Sequence, residues 1–485
     1  MDHSETVLKR AFAAHNAGHH DEAEKLCCAL VASGVQDAQL FFLLGMVLHK
    51  TGRDIEANQW LQMAAQLQPE DARIWSGLGV VWQKLRDFKK AARYFAQATE
   101  LEPGKANHFY GLGNAVYPLD RLEEAAAAFQ RAVELAPQDA ESWNNLGKCL
   151  KELNRIDEAI AAYDRAVRLD PGYLIALQGR AIALLTAGRL AEGYRDYESR
   201  WRTIARRNFA MPEWNGQTIA GKTLFLHAEQ GYGDGIQSAR YAKLARRRCG
   251  CVILECRPEL KTLFAHSGVA DQVIAFGEEI PPADFVISVI SLPGLLGFTL
   301  ENIPGQTPYL KAPPAAQPLG APDGKLKVGL TWAGSPTHCD DANRSISLAL
   351  LAPLLAARGV SFYGLQVPVP QRDAAAMKDF PNLKDLGGFK DYLATASAMK
   401  EMDLVISVDT SVAHLAGALA KPVWTMVQFA PDWRWFAQFG ERTPWYPTMR
   451  LFRQHRRGDW QAVIAQVAAE LSCQGERLKT AATAV

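Results

Sequence analysis

Apolar and small residues recur along the first 200 positions with a fixed period of 34. Gly45, Gly79, Gly113 and Gly147 are 34 apart, as are Ala57, Ala91, Ala125 and Ala159. The same spacing links Ala64, Ala98, Ala132 and Ala166, and then Pro69, Pro103, Pro137 and Pro171. Large side chains keep the phase, with Phe41, Trp75, Phe109 and Trp143 in one column and Leu61, Phe95, Phe129 and Tyr163 in another. The pattern predicts one helical hairpin per repeat. Gly and Ala mark the close approach of the two helices, large residues fill the space between repeats, and Pro ends the second helix. Residues 4–37 fit the phase weakly through Ala11, Ala23 and Leu30, and residues 174–207 through Ala181, Leu184 and Tyr197. Degenerate ends are expected of capping repeats.

These columns resemble the tetratricopeptide repeat, and they give an all-α solenoid over residues 1–207. A solenoid of this kind is a binding surface rather than a chemical one. Helical spacing from the aromatic anchors places Phe42, Ser76, Tyr110 and Asn144 on the inner helices, with His49, Gln83, Tyr117 and Lys151 one or two turns on. That mixed polar and aromatic groove suits an extended peptide. The competing reading is a solvated face that only spaces or dimerises the protein.

The helical rhythm stops near "ESRWRTIARRN", and "MPEWNGQTIAGK" follows with Pro212, Gly216 and Gly221 as turn formers. Beyond it, short apolar runs alternate with helical stretches: "TLFLH", "CVILE", "DQVIAF", "DFVISVI", "LKVGLTWAG", "VSFYGLQ", "DLVISVD" and "KPVWTMV". Continuous apolar runs separated by helices argue for parallel strands buried on both faces. The Pro- and Gly-rich residues 313–325 read as a linker. Two α/β units are therefore expected, at 212–312 and 326–475, facing a cleft at the carboxyl ends of their strands.

The residues after the strands are chemically informative. "TLFLH" runs into Glu229, Gln230, Gly231, Tyr232, Gly233 and Asp234, where a helix begins. Asp234 is placed to be either an N-cap or a general base facing the cleft. "LKVGLTW" is followed by a polar loop and Arg344, a residue suited to phosphate. "DLVISV" ends at Asp409, Thr410 and Ser411, with His414 on the first turn of the next helix. Free N–H groups and the helix dipole favour an anion there; the competing reading is a capped, buried helix. Gln366, at the end of "VSFYGLQ", joins Arg344, Asp409, Thr410, Ser411 and His414 as candidates to line the cleft. Further on, Trp433, Trp435, Trp445 and Tyr446 lie among Arg434, Arg450 and Arg453, a set that could stack a ring and pair with phosphate or simply be core.

Composition changes the picture little. The chain has 485 residues, enough for about three domains. Its 53 basic and 52 acidic side chains give a net charge of +1, so no global field points to nucleic acid or an anionic membrane. Neither a membrane span nor the apolar core of a signal peptide is legible. The eight Cys are scattered; Cys249, Cys251 and Cys256 have no His or fourth Cys at ligand spacing, so they read as structural thiols. The expectation is a cytoplasmic protein with reduced cysteines.

Four pieces of the second half, "EQGYGDG", "VGLTWAGSP", "DTSVAHLAGALAKPVW" and "PDWRW", occur in the order seen in GT-B glycosyltransferases, and residues 212–470 resemble the heptosyltransferase-like group. The layout is also similar to that of the protein O-GlcNAc transferases. The resemblance implies a GT-B fold of two Rossmann-like units. It implies a nucleotide-sugar donor held by Asp409, Thr410, Ser411 and His414, with Arg344 as the basic partner and Asp234 as catalytic base. Ser411 stands where the family carries Gly. The loop at Glu229, Gln230 and Gly233 would lie on the acceptor side. An inverting, metal-independent transfer with no cofactor is implied, to a protein hydroxyl held by the repeats, for example on a flagellin or another surface protein. Two rivals are a lipopolysaccharide or capsule acceptor, and a non-catalytic adaptor with a degenerate GT-B part.

Overall fold

The computed structural model describes residues 3–483 apart from 204, 230, 316–318, 320–323 and 339, with backbone alone from 474 onward. The chain divides into two compact units, Met1–Arg180 and Ala181–Val485.

The first unit is all helical. Its helices are α1 (His3–Asn16), α2 (His20–Ala32), α3 (Ala38–Lys50), α4 (Asp54–Leu67), α5 (Ala72–Lys84), α6 (Phe88–Leu101), α7 (Ala106–Val116), α8 (Leu122–Leu135), α9 (Ala140–Glu152) and α10 (Ile156–Leu169). Those from α4 onward start 34 residues after their counterparts in the preceding hairpin. Aspartates begin several of them; Asp37, for example, accepts from the Leu40 N–H at 2.9 Å. The periodic alanines named above are all fully buried. The periodic glycines have a steric cause. A Cβ on Gly45 would sit 2.6 Å from Leu61, on Gly79 2.8 Å from Phe95, on Gly113 2.7 Å from Phe129 and on Gly147 3.0 Å from Tyr163. A second set presses on the same large residues from the following repeat: Gly111 on Phe95 at 2.3 Å and Gly179 on Tyr163 at 2.4 Å. Each large residue thus has close glycine backbone against it.

The next helix, α11 (Leu174–Thr186), carries the division between the units, and α12 (Leu190–Tyr197) follows. The repeat pattern continues to 207, but residues from Ala181 on pack in the second unit. Tyr194 is buried with its ring edge-on to Trp433, at 5.9 Å and 87°. The Ala437 N–H donates to the Thr186 carbonyl at 2.9 Å.

The second unit holds two wholly parallel sheets. The first has β1 (Ile219–His227), β2 (Cys249–Cys256), β3 (Gln272–Ala275) and β4 (Phe285–Ser288), in the order β3-β2-β1-β4. The second has β5 (Leu326–Thr331), β6 (Val360–Gly364), β7 (Leu383–Asp385), β8 (Leu404–Val408), β9 (Val423–Val427) and β10 (Met449–Arg453), in the order β7-β6-β5-β8-β9-β10. In both, the chain builds outward from the first strand and then jumps back beside it. That is the doubly wound arrangement, with a crevice at the carboxyl ends where the winding direction reverses. The reversals fall between β1 and β4 and between β5 and β8. Val328, Leu330, Ile406 and Met426 face one core with the start of α17 (Trp460–Thr483), while Val405, Val423 and Val427 face the other with α13 (Tyr232–Ala245), α14 (Pro258–Ser267), α15 (Tyr392–Lys400) and α16 (Ser411–Ala418). Strands buried on both faces explain the uninterrupted apolar runs.

Candidate functional site

Each sequence-derived candidate in this unit follows a strand. β8 delivers Asp409 and Thr410 to the turn into α16, beside the β5–β8 reversal. Thr410 is extended, with φ −142° and ψ 172°, and makes no side-chain cap to the helix. Its hydroxyl pairs instead with the Ser407 hydroxyl at 3.0 Å, and the Ser411 hydroxyl pairs with the Tyr392 hydroxyl at 2.7 Å. The first turn of α16 is thus left without a side-chain cap.

β1 delivers Glu229, Gly233 and Asp234 to the start of α13. Gly231 is the N-cap, and its N–H donates to Asp234 Oδ2 at 2.9 Å. The N-cap reading of Asp234 therefore holds in part, through the reciprocal carboxylate of a capping box. The starts of α13 and α16 meet. A Cβ on Gly233 would lie 3.0 Å from His414 Cδ2 and 3.7 Å from Ser411 Cα. Two loops almost 180 residues apart in sequence form one locality, and Gly233 is what lets them close.

His414 is 4% exposed. It stacks on Trp435 at 5.0 Å and 20°, and its Nδ1 shares a 2.9 Å hydrogen bond with the Tyr446 hydroxyl. Burial, reinforced by the Arg434 guanidinium, pushes its pKa down to about 3, so the ring is neutral at physiological pH. Asp409 is buried and moves the other way. Burial and the nearby Asp432 carboxylate raise it to about 6, with the Trp435 indole, Arg344 and Arg434 pulling against them. Against burial, Arg434 keeps Asp432 below the ordinary carboxylate range.

Arg434 is the residue that sequence reasoning left out of the site. It was legible only as one of several Arg among aromatics. It is 9% exposed and has an acceptor on every nitrogen: Nε donates to Gln237 Oε1 at 2.9 Å, Nη1 to Asp432 Oδ1 at 2.9 Å, and Nη2 to Asp234 Oδ1. Its guanidinium also lies 4.2 Å from the Trp433 ring centre. A second cation, Arg240 of α13, is buried and has no carboxylate partner among the described residues. It donates to the carbonyls of Gln237, Pro304 and Trp445 and to the Tyr309 hydroxyl, at 2.9–3.0 Å.

The other candidates are committed within the protein. Arg344 reaches Asp341 at 3.4 Å and closes over Gly334, where a Cβ would be 2.6 Å from its Nη2. Gln366 accepts from the Trp332 and Ala333 N–H groups at 3.2 and 3.0 Å and donates to the Pro368 carbonyl at 3.1 Å. It braces the loop after β5. Glu229 accepts a two-pronged bond from Arg200 at 2.8 and 2.9 Å and another from Ser288. Gln230 lies outside the described residues. Of the downstream cluster, Trp435, Trp445 and Tyr446 are fully buried core, and Arg450 pairs with Glu441. Among the described residues, no group of three or more His, Cys, Asp or Glu side chains could hold a metal ion. No helix there is long and apolar enough to cross a membrane.

Residues 77–140, 119–173 and 144–208 match a family model described as tetratricopeptide repeat. The chain is 27% identical over 329 residues to Protein FlbA of Caulobacter vibrioides, a match covering 60% of this chain and 54% of the relative. The chain thus spans about half the length of the curated relative it matches. Among solved structures it is similar to YrrB, described as a TPR protein with an unusual peptide-binding site, at 22% identity and TM-score 0.34, covering 36% of this chain and 91% of that one. It is also similar to MamA at 20% identity and TM-score 0.33, covering 36% and 97%. The N-terminal part of the chain carries tetratricopeptide repeats, an architecture that serves protein interaction, and a region of parallel sheets and helices follows it.

Proposed function

We propose that this protein is a GT-B glycosyltransferase that moves a sugar from a nucleotide-sugar to a hydroxyl of a protein bound by its repeats. One observation carries the reading. The uncapped start of α16, at the reversal of one doubly wound sheet, touches the start of α13, which bears Asp234 after β1 of the other. A diphosphate seated at Thr410 and Ser411 would meet free N–H groups and the positive end of the helix. Arg344 and the buried Arg240 and Arg434 add positive charge around it. Asp234 would take the acceptor proton as the acceptor oxygen bonds to the sugar, and the nucleoside diphosphate would leave with the electron pair of the broken bond. Asp409, with its raised pKa, would hold the loop rather than the phosphate. The protein acceptor is preferred to a glycolipid because repeats of this type present a peptide-binding surface.

The test is nucleotide release from a panel of nucleotide-sugars by the full chain. Release with one donor, reduced about 10²-fold or more in Asp234→Asn of unchanged fold, is the expected result. Release at the wild-type rate in the variant would remove Asp234 as the base. No release from any donor, with or without candidate acceptor proteins, would favour a binding role.

A further inference from the structure

Both carboxylate oxygens of Asp234 already accept a hydrogen bond. Its Oδ2 is held by the Gly231 N–H at 2.9 Å, and its Oδ1 is held by Arg434 Nη2. The pair is largely out of solvent, with side-chain exposures of 22% and 11%. Arg434 is meanwhile shared between two carboxylates, Asp234 and Asp432, at the place where a donor's phosphates would enter. We infer that Arg434 masks Asp234 until the donor's diphosphate arrives, and that the diphosphate takes the guanidinium and so exposes the base.

The inference rests on the donor site of the preceding section and adds to it a further residue and an order of events. A diphosphate carries more negative charge and more acceptor oxygens than a single carboxylate, so it outcompetes Asp234 for the Nη2 donor. Nε and Nη1 keep Arg434 anchored on Gln237 and Asp432 while Nη2 changes partner, so the side chain need not leave its place. Asp234 likewise keeps its Gly231 bond when Oδ1 is released. The freed oxygen belongs to the residue after Gly233, whose backbone lies beside His414 and Ser411. No covalent step is involved in the exchange. One consequence is ordered binding: the base is unmasked only when there is a sugar to transfer. Another is that the carboxylate competes with the ligand, so removing it should improve anion binding.

The experiment is calorimetric titration of the full chain with inorganic pyrophosphate, and separately with UDP, GDP, ADP and CMP. Wild type, Asp234→Asn and Arg434→Gln are compared after a thermal scan shows each folded; Arg434→Lys replaces Arg434→Gln if the latter is not. Masking predicts that pyrophosphate and the preferred nucleotide bind Asp234→Asn about tenfold more tightly than wild type, and the Arg434 variant at least about tenfold more weakly than wild type. Equal affinity of wild type and Asp234→Asn for a nucleotide that does bind would overturn the masking and leave the donor site standing. No binding of any probe to any variant would overturn both.

Discussion

Gly417→Ala is the substitution whose effect the geometry fixes most closely. Gly417 lies on α16, and a Cβ there would be 2.4 Å from Tyr446 Cδ1 and 2.5 Å from Cγ. Carbon atoms pack at about 3.5–4.0 Å, so the overlap exceeds about 1 Å with the root of a ring rather than its tip. Tyr446 has little room to retreat. It is fully buried, its hydroxyl is tied to His414 at 2.9 Å, and Arg240 lies 4.7 Å from its ring centre. Overpacking of this kind costs about 1–3 kcal/mol, and the rigid surroundings point to the upper end. The second unit has about 300 residues, so about 3 kcal/mol should lower its midpoint by about 5 °C. Differential scanning calorimetry of the full chain reads this directly. The transition of the repeat unit should stay in place, and ligand binding near His414 should weaken alongside the shift. An unchanged midpoint for the second unit would refute the packing argument, and with it the claim that Gly417 seats Tyr446 and His414.

Three further outcomes follow from named contacts. Phe95→Ala empties a site lined by Gly79 and Gly111 and should cost the repeat unit about 3–5 kcal/mol, read as a lower first transition in the same calorimeter; no shift would contradict the interleaved packing. Arg200→Met strands the buried Glu229 carboxylate and should destabilise the second unit by about 3–5 kcal/mol, with Arg200→Met/Glu229→Gln recovering part of it in urea unfolding. Failure of the double variant to recover any stability would show that the ion pair is not the cause. Asp409 titrates at about 6 in the folded chain against an ordinary 3.8, so the folded state holds its proton more firmly. Its ionisation therefore opposes folding at neutral pH, and the cost fades as pH falls from about 6 to 3.8. Asp409→Asn should accordingly raise urea stability at pH 7.5 and differ progressively less from wild type toward pH 4; a gap that widens on acidification would reverse the assignment.

Much of the repeat unit was legible because its constraint is local. Each periodic Gly faces a large residue sixteen positions later, and that geometry recurs every 34 residues. The companion set, Gly77, Gly111 and Gly179, went unread because Asn145 breaks the column; its side chain bonds Asn114 at 3.2 Å instead. Buried strands such as β5 and β8 appeared as plain apolar runs. β7 escaped because it is three residues long with Lys384 and Asp385 exposed, and β10 because its apolar positions are embedded among Pro, Trp and Tyr. The division at Ala181 was hidden because residues 181–207 keep the repeat's periodicity while packing in the other unit. At the site, strand-then-helix transitions marked Asp234 and Ser411, each defined by its own neighbours. The Asp234–Arg434 pair joins positions 200 apart, and no local pattern announces a contact of that range. Gln366 and Glu229 were visible as polar residues after strands, but the groups that donate to them, Trp332 and Ala333 for Gln366 and Arg200 and Ser288 for Glu229, come from elsewhere in the fold.

The most direct test of the donor site is a thermal-shift titration of the full chain with UDP, GDP, ADP, CMP and their sugar conjugates, run on wild type and on Ser411→Pro, which removes the first helical N–H at a position where Pro fits a helix. A ligand at about 100 times its dissociation constant contributes about 2.7 kcal/mol, which is about 4 °C for a unit of this size. The account predicts that one nucleotide raises the second unit's midpoint by that amount in wild type and by clearly less in Ser411→Pro, with the repeat unit unmoved. A full panel without a shift, or an equal shift in the variant, would contradict the placing of a nucleotide-sugar at the start of α16.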